Sequence, residues 1–327
     1  MSAARSKVAV IAIGRNEGER LRRSLASLRG QGCPVIYVDS GSTDDSLRIA
    51  EDEGAVVVRL DMTMPFSAAR ARNAGAAAAL KLSPRPEYLQ FIDGDCAVAQ
   101  GWLDLAANFL EANPDVVLTT GWRKEMHPEA SVYNEMCDVE WHRPAGNIQV
   151  AGGDVMVRAA SHETVGGYNP VLIAGEDPDY CLRLTKIGRC VRLPQDMTLH
   201  DANMTRFSQW WLRAVRAGHA YAHLESLHSG HARREIMRAV VYALALPIVG
   251  LLFAIFWPAG LLAVLGVYLA SYWRSAGGLM KNDGLKPLQA YRHAVFLTLS
   301  KFPNLLGMAT FVLRRLFRRQ MKIIEYK

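Results

Sequence analysis

Residues 7–13 (KVAVIAI) form an apolar, β-branched run with no polar alternation, the pattern of a strand buried on both faces. Asn16 or Glu17 then starts a helix whose Leu21, Leu25 and Leu28 share one face and which stops at Gly30–Gly32. A second run, residues 35–38, ends at Asp39, and the following Ser40-Gly41-Ser42-Thr43-Asp44-Asp45 supplies turn residues and a helix N-cap. The alternation continues with a helix to about Glu53, a strand over 56–60, an alanine-rich helix over 67–81 and a strand over 88–92. Strands alternating with helices predict an α/β fold with a mixed, mostly parallel sheet and flanking helices. Ligands of such sheets bind at the carboxyl ends of the strands. Arg15, Asp39, Asp93 and Asp95 all fall at such ends.

Beyond Trp102 the pattern is less regular. Strands are expected over 116–120 and 150–157, and a turn at Gly166-Gly167-Tyr168. Gly175-Glu176-Asp177 caps an amphipathic helix with Tyr180, Leu182 and Leu184 to pack. Gly188 ends it, a short strand over 190–193 follows, and then His200. In the tail, residues 239–257 carry no charge, Pro258 interrupts, and 259–273 continue uncharged. One crossing of a bilayer needs about 20 residues, so this stretch is too long for a single span. Arg233, Arg234 and Arg238 precede it and Arg274 and Lys281 follow it, which predicts a two-helix hairpin or a shallow re-entrant pair with both ends cytoplasmic. Residues 285–322 mix apolar clusters with Arg314, Arg315, Arg318 and Arg319 and read as an interfacial amphipathic segment. The expected organisation is therefore a catalytic domain over 1–230, a transmembrane or re-entrant hairpin over 231–281 and a basic tail over 282–327.

Charge sharpens this division. The net charge is +7, but from His231 onward 14 Lys/Arg face three acids, so the remainder is acidic. The basic residues flank apolar segments, which favours membrane lipids over nucleic acid as the partner. The five cysteines are scattered without a C-x-x-C pair, which argues against a disulfide framework or a zinc site and fits a reducing compartment. The first residues do not form a signal peptide, because the apolar run is short and Arg15-Asn16-Glu17 follows it.

The chemistry concentrates at Phe91-Ile92-Asp93-Gly94-Asp95. A buried strand that runs into paired carboxylates can hold a hard divalent cation, which in turn grips a substrate diphosphate. The loop after the first strand, Gly14-Arg15-Asn16-Glu17, has a single glycine. It therefore lacks both the G-x-G-x-x-G of a dinucleotide oxidoreductase and the glycine-rich loop of a nucleotidylyltransferase.

Taken together, VAVIAIGRNE, VIYVDSGSTDDS, ARNAG, FIDGD, GGDVMVRA with VGGYN, GEDPDYCLRL and the later histidine resemble, in order over roughly residues 7–202, the inverting GT-A glycosyltransferases of family 2. The resemblance implies a nucleotide-diphosphate sugar donor (a UDP- or GDP-sugar), a divalent metal (Mn or Mg) and single displacement. It assigns Asp39 to the base, Arg15, Glu17, Arg72 and Asp93 to the rest of the nucleotide, and Asp95, with His200 as a further ligand, to the metal. Asp177 becomes the general base. Glu176, Gly153 and Asp154 line the acceptor side, and Trp210 contacts the acceptor. For Asp39 a helix-capping role stays open, and for His200 and Trp210 a purely structural one. Processive members carry Gln-x-x-Arg-Trp after the base, whereas here Gln209-Trp210-Trp211-Leu212-Arg213 reverses that order. The expectation is thus a non-processive enzyme at the inner membrane, catalytic domain facing the cytosol, serving a polyprenyl-linked or glycan acceptor of envelope polysaccharide. The alternative is another nucleotide-sugar enzyme, or a membrane-anchored nucleotide-sugar-binding scaffold without transferase activity.

Overall fold

A computed structural model describes residues 7–257 and 259–325. Pro258, expected at the hairpin turn, lies outside the described residues. The chain divides into two compact units: the first reaches Pro128 and resumes over Cys137–Asn203, and the second holds Glu129–Met136 and the chain from Met204 onward.

Unit 1 is built on a nine-stranded sheet. Its strands are β1 (Val8–Gly14), β2 (Val35–Asp39), β3 (Val56–Arg59), β4 (Tyr88–Asp93), β5 (Cys96–Val98), β6 (Val116–Glu125), β7 (Gly146–Ile148), β8 (Val155–Arg158) and β9 (Arg189–His200). The order is β3-β2-β1-β4-β8-β6-β9-β5, with β7 pairing β9. The four strands β3, β2, β1 and β4 run parallel, β8 is antiparallel to both its neighbours, and β6 and β9 are parallel.

The uninterrupted apolarity of the first strands has its cause in burial on both faces. Val8, Val10 and Ala12 of β1 join Tyr37, Leu21, Leu25 and Trp102 on one face, whereas Ala9, Ile11 and Ile13 join Ile36, Val38, Leu89 and Phe91 on the other. The alanine-rich helix Ala68–Ala79 lies against β1 and β2, with Ser67 as its N-cap accepting from the Arg70 N–H. Gly75 lets it approach closely: a Cβ there would sit 2.3 Å from Ile11 Cγ2. The one buried amide of β4, Gln90, is satisfied, accepting from Trp102 Nε1–H at 2.9 Å and donating to the Phe91 carbonyl.

Two strands differ from expectation. The strand expected over 150–157 begins only at Val155, and a short extra strand, β7, occupies part of the irregular stretch before it. The short strand expected over 190–193 is in fact the twelve-residue β9, which continues through Pro194. Proline survives there because it sits in a bulge: Thr120 pairs Arg192 but Trp122 pairs Asp196, so residues 193–195 of β9 face Gly121 alone.

Unit 2 is helical: Phe207–Leu227, Arg233–Val240, Leu246–Phe256, Gly260–Asn282, Pro287–Leu299 and Lys301–Leu316, with part of the helix Val132–Trp141. A π turn over Val241–Ala245 joins two of these into one rod just ahead of Pro247, whose ring cannot fit a regular i−4 carbonyl. Glu135 accepts from Gln289 Nε2 at 2.7 Å and pairs with His293 at 3.1 Å, so the polar face of Pro287–Leu299 is turned to protein. Among the described residues two helices are long and apolar enough to cross a membrane, Arg233–Phe256 and Pro287–Leu316. The first matches the expected hairpin's leading arm. The second lies in the segment expected to be interfacial.

Asn73 pins the turn that precedes the GEDPDY helix, donating to the Tyr168 carbonyl at 2.7 Å and accepting its N–H at 2.8 Å. Asn73→Ala leaves both groups short of a partner and should cost about 1–3 kcal/mol in urea denaturation; an unchanged midpoint would contradict that role.

Candidate active site

The parallel register places two of the expected carboxylates on either side of one strand end. Gly14, the last residue of β1, is level with Asp39 of β2, and Ile13 is level with Asp93 of β4. Asp39 is buried, and its Oδ2 accepts the Gly41 and Ser42 N–H groups at 3.0 Å each. That fixes the loop after β2, and Asp39 is not the N-cap of the helix that follows, a position held by Asp45. Asn16, at φ 56°, ties the β1 loop to the same segment by accepting from the Thr43 N–H at 2.7 Å. Ser46 Oγ accepts the Glu17 and Gly18 N–H groups. Glu17 pairs with Arg20 at 3.0 Å, and Arg15 lies 4.5 Å over the Phe66 ring. An aromatic ring, a guanidinium and a buried carboxylate thus flank the loop after β1.

At Asp93 the site becomes a ladder of alternating charge. Arg72 Nη2 donates to Asp93 Oδ1 at 2.8 Å, and Arg72 Nη1 donates to Asp177 Oδ1 at 2.9 Å and to Glu176 Oε1 at 3.3 Å. On the far side Arg123 Nη2 reaches Asp93 Oδ2 at 3.2 Å, and its Nε donates to Asp154 Oδ2 at 2.9 Å. Burial pushes the Asp93 carboxyl up, but the Arg72 and Arg123 charges outweigh it and hold Asp93 below the usual carboxylate range. Gly153 is required here, because a Cβ would lie 2.0 Å from Arg72 Nη2.

Asp154 departs from its expected place on the acceptor side. It is 1% exposed, and its carboxylate accepts from Arg123, from Thr198 Oγ1–H at 2.6 Å and from the Asp93 N–H at 3.1 Å. With those oxygens committed inside the protein, it holds Asp93 and Arg123 in place. Trp210 belongs to unit 2, is 5% exposed and packs 5.1 Å from the Phe296 ring.

Strands β5, β6 and β9 bring His200 beside Asp95 and Glu125. His200 pairs Cys96 of β5 and Glu125 of β6 in the ladder. Its Nε2 lies 3.4 Å from Asp95 Oδ1, and its Nδ1 lies 3.5 Å from Glu125 Oε2. Donor atoms of Asp95, Cys96 and His200 fall within 4.8 Å of one another. A buried carboxylate facing an imidazole whose second nitrogen is turned to another carboxylate fits a divalent cation, and the nitrogen ligand suits Mn²⁺ better than Mg²⁺.

Asp177 sits in the first turn of the helix Glu176–Leu184, whose N-cap, Gly175, takes the left-handed conformation at φ 83°. Burial raises the Asp177 carboxyl to about 7, with the Glu176 charge adding to the rise and the Arg72 guanidinium opposing it. The residues that sequence reasoning missed are Arg123, Glu125 and Thr198. Their signal was present only as pairing: Arg123 is level with Thr198, and Glu125 with His200, across a strand read as too short.

A mostly parallel sheet with carboxylates along its carboxyl edge, followed by an antiparallel strand and a Glu-Asp helix start, is a GT-A glycosyltransferase fold. Residues 9–150 match the family model described as Glycosyl transferase family 2, a match that holds Asp39, Arg72, Asp93 and Asp95 and stops short of Asp177 and His200. The chain is 28% identical over 145 residues, 44% of its length, to a TPR repeat-containing protein of Synechococcus elongatus, and covers 34% of that protein. It is 26% identical over 203 residues, 58% of its length, to the glycosyltransferase AglE of Haloferax volcanii, and covers 65% of it. The chain thus spans about a third of one relative and just under two thirds of the other. Among solved structures, the mannosyltransferase PcManGT from Pyrobaculum calidifontis, in complex with GDP-Man and Mn²⁺, aligns with a TM-score of 0.59 at 16% identity, over 94% of this chain and 87% of that one. The family model covers less than half of the chain, and the likeness to the solved structure is one of fold.

The geometry separates two kinds of carboxylate. Asp95→Asn should abolish the thermal shift produced by Mn²⁺ with a nucleoside diphosphate while leaving the ligand-free melting temperature near wild type. Asp154→Ala, which removes the nearer of the two carboxylates paired with Arg123 and the acceptor of Thr198, should instead lower the ligand-free stability by on the order of 3 kcal/mol. Loss of the ligand-induced shift by neither variant would remove Asp95 from the metal site.

Proposed function

We propose that the protein transfers a single sugar from a nucleoside-diphosphate donor, a UDP- or GDP-sugar, to a polyprenyl-linked or glycan acceptor, with inversion at the anomeric carbon. One observation carries the reading: a single guanidinium, Arg72, touches both Asp93 at the donor carboxylates and Asp177 at the start of the GEDPDY helix. Inversion by single displacement needs a carboxylate base on one side of the reacting carbon and a held diphosphate on the other. In this reading Asp39, Arg15 and Glu17 hold base and ribose, and Asp93 orients the donor. Asp95 and His200 hold the divalent cation, which when bound supplies positive charge to the departing diphosphate. Asp177 takes the acceptor hydroxyl proton on its carboxylate as the oxygen attacks, with Glu176 and Gly153 beside it. Mn²⁺ in the PcManGT complex supports a metal-dependent reaction.

The sign of the pH dependence follows from the Asp177 carboxyl at about 7. Only the deprotonated form accepts a proton, so kcat/KM should rise as pH climbs through about 7. The same group contributes stability that is present below the unfolded value of about 4 and is lost as pH rises through the folded one. Asp177→Asn should flatten the acid limb and lower kcat by on the order of 10²–10⁴ with donor binding nearly intact. Wild-type turnover in this variant would send the search for the base elsewhere.

Unit 2 supports attachment to the inner membrane. Along Leu246–Phe256 the apolar side chains are bare: Leu251, Ile255 and Phe256 are 65%, 72% and 89% exposed. Water contact over that surface is unfavourable by about 25 cal/mol per Å². The full chain should stay with membranes through high salt and alkaline carbonate, and reporters placed before Arg233 and after Lys281 should both read cytoplasmic. Release by salt alone, or opposite readings at the two points, would overturn the hairpin arrangement.

A further inference from the structure

Arg72 is 2% exposed, yet its guanidinium is not spent on one partner. Nη2 faces Asp93 at 2.8 Å, and Nη1 is shared between Asp177 at 2.9 Å and Glu176 at 3.3 Å. The ring of Tyr168 lies under it at 5.3 Å, clamped in turn by Asn73 from the same helix. The backbone has been cleared for the head group at Gly153, where a Cβ would meet Nη2 at 2.0 Å and Cζ at 2.9 Å. A long side chain held from three directions in one rotamer is a rigid spacer. What it spaces is the carboxylate at the end of β4 and the carboxylate at the start of the GEDPDY helix, two elements far apart in sequence.

We infer that Arg72 is the positioning residue of the base: by bonding Asp93 and Asp177 through its two terminal nitrogens, it fixes the Asp177 carboxylate relative to the donor carboxylates and favours its charged, proton-accepting form. This rests on Asp177 being the base, as proposed above. It goes beyond a nucleotide-contact role for Arg72, because the side chain acts toward the acceptor half of the reaction. The groups that face Asp177 are Arg72 and Arg123, which favour its charged form, and Asp93 and Glu176, which oppose it, with Tyr168 and Cys181 also within electrostatic reach. Of the cations, only Arg72 donates a hydrogen bond to it among the described contacts.

Three variants separate the possibilities. Arg72→Met removes the charge, Arg72→Lys keeps the charge but cannot bridge two carboxylates in plane, and Gly153→Ala keeps the arginine and displaces its head. Each is assayed for the pH profile of kcat/KM and, by calorimetry with UDP or GDP and Mn²⁺, for nucleotide affinity. In Arg72→Met the acid limb should move up by about one pH unit or more. Gly153→Ala should move it in the same direction, and Arg72→Lys should restore part of the position but not the full rate. An acid limb that stays in place while nucleotide affinity falls would assign Arg72 to the donor alone and overturn the inference. A second readout needs no turnover: a double-mutant cycle between Arg72→Met and Asp177→Asn in thermal melts should give a favourable coupling at pH 8.5 that disappears at pH 5. No coupling at pH 8.5 would overturn the inference even for an inactive preparation, whereas coupling without transfer from any nucleotide sugar would count against the transferase reading and leave the Arg72–Asp177 link standing.

Discussion

Everything in unit 1 converges on a buried to half-buried line of alternating charge, Asp154–Arg123–Asp93–Arg72–Asp177. Taking so many ions out of water is unfavourable unless each is both paired and hydrogen-bonded. The sheet meets that condition by contributing a member from each of several strands or strand ends: Asp93 from β4, Arg123 from β6, Asp154 from the approach to β8, and Thr198 of β9 as an added donor. The helices supply the remaining two, Arg72 and Asp177. Each arginine is shared between carboxylates from different elements, so losing Arg72 or Arg123 would leave Asp177 or Asp154 without its bonded cation, and the ladder ties strand order to site geometry. An apolar filling of the same space would pack as well but would not hold Asp93 and Asp177 on a shared guanidinium.

The first half of the fold is legible because its physics is local. Continuous β-branched runs, Ser67 before an alanine-rich helix and Gly175 before an acidic helix start each announce themselves within a few residues. Asp39, Asp93 and Asp95 are legible for the same reason, since a strand that ends in a carboxylate places it at the sheet edge. Arg123 and Glu125 were not, because their meaning comes from a partner more than 70 residues away in a strand interrupted by proline. For Asp154 the sequence Gly-Gly-Asp shows a loop, not that the carboxylate turns inward to Thr198 and Arg123.

In unit 2 local composition and packing part company. Pro287–Leu316 is apolar enough to cross a membrane, yet Gln289 and His293 are engaged by Glu135, so one face belongs to protein. Composition cannot separate an amphipathic helix lying against its own unit from one crossing lipid; the partner of its polar residues does. Close helix contact has a second source in Gly218 and Gly307, each of which meets the facing backbone where any side chain would intrude.

The bulge of β9 carries a consequence for how this chain can vary. Unbroken pairing from Thr120 with Arg192 would have set Met197 against Glu125; two added residues around Pro194 and a third at Met197 deliver His200 there instead. The segment from Leu193 to Gln195 is therefore a spacer whose length, more than its chemistry, is constrained. A homologous chain can exchange the exposed Pro194 and Gln195 freely while Leu193 stays apolar in the core, but losing one residue would turn the end of the strand over and face its alternate side chains the other way. Tolerance to substitution and intolerance to deletion would then coincide at one short stretch that contains no ligand and no catalytic group.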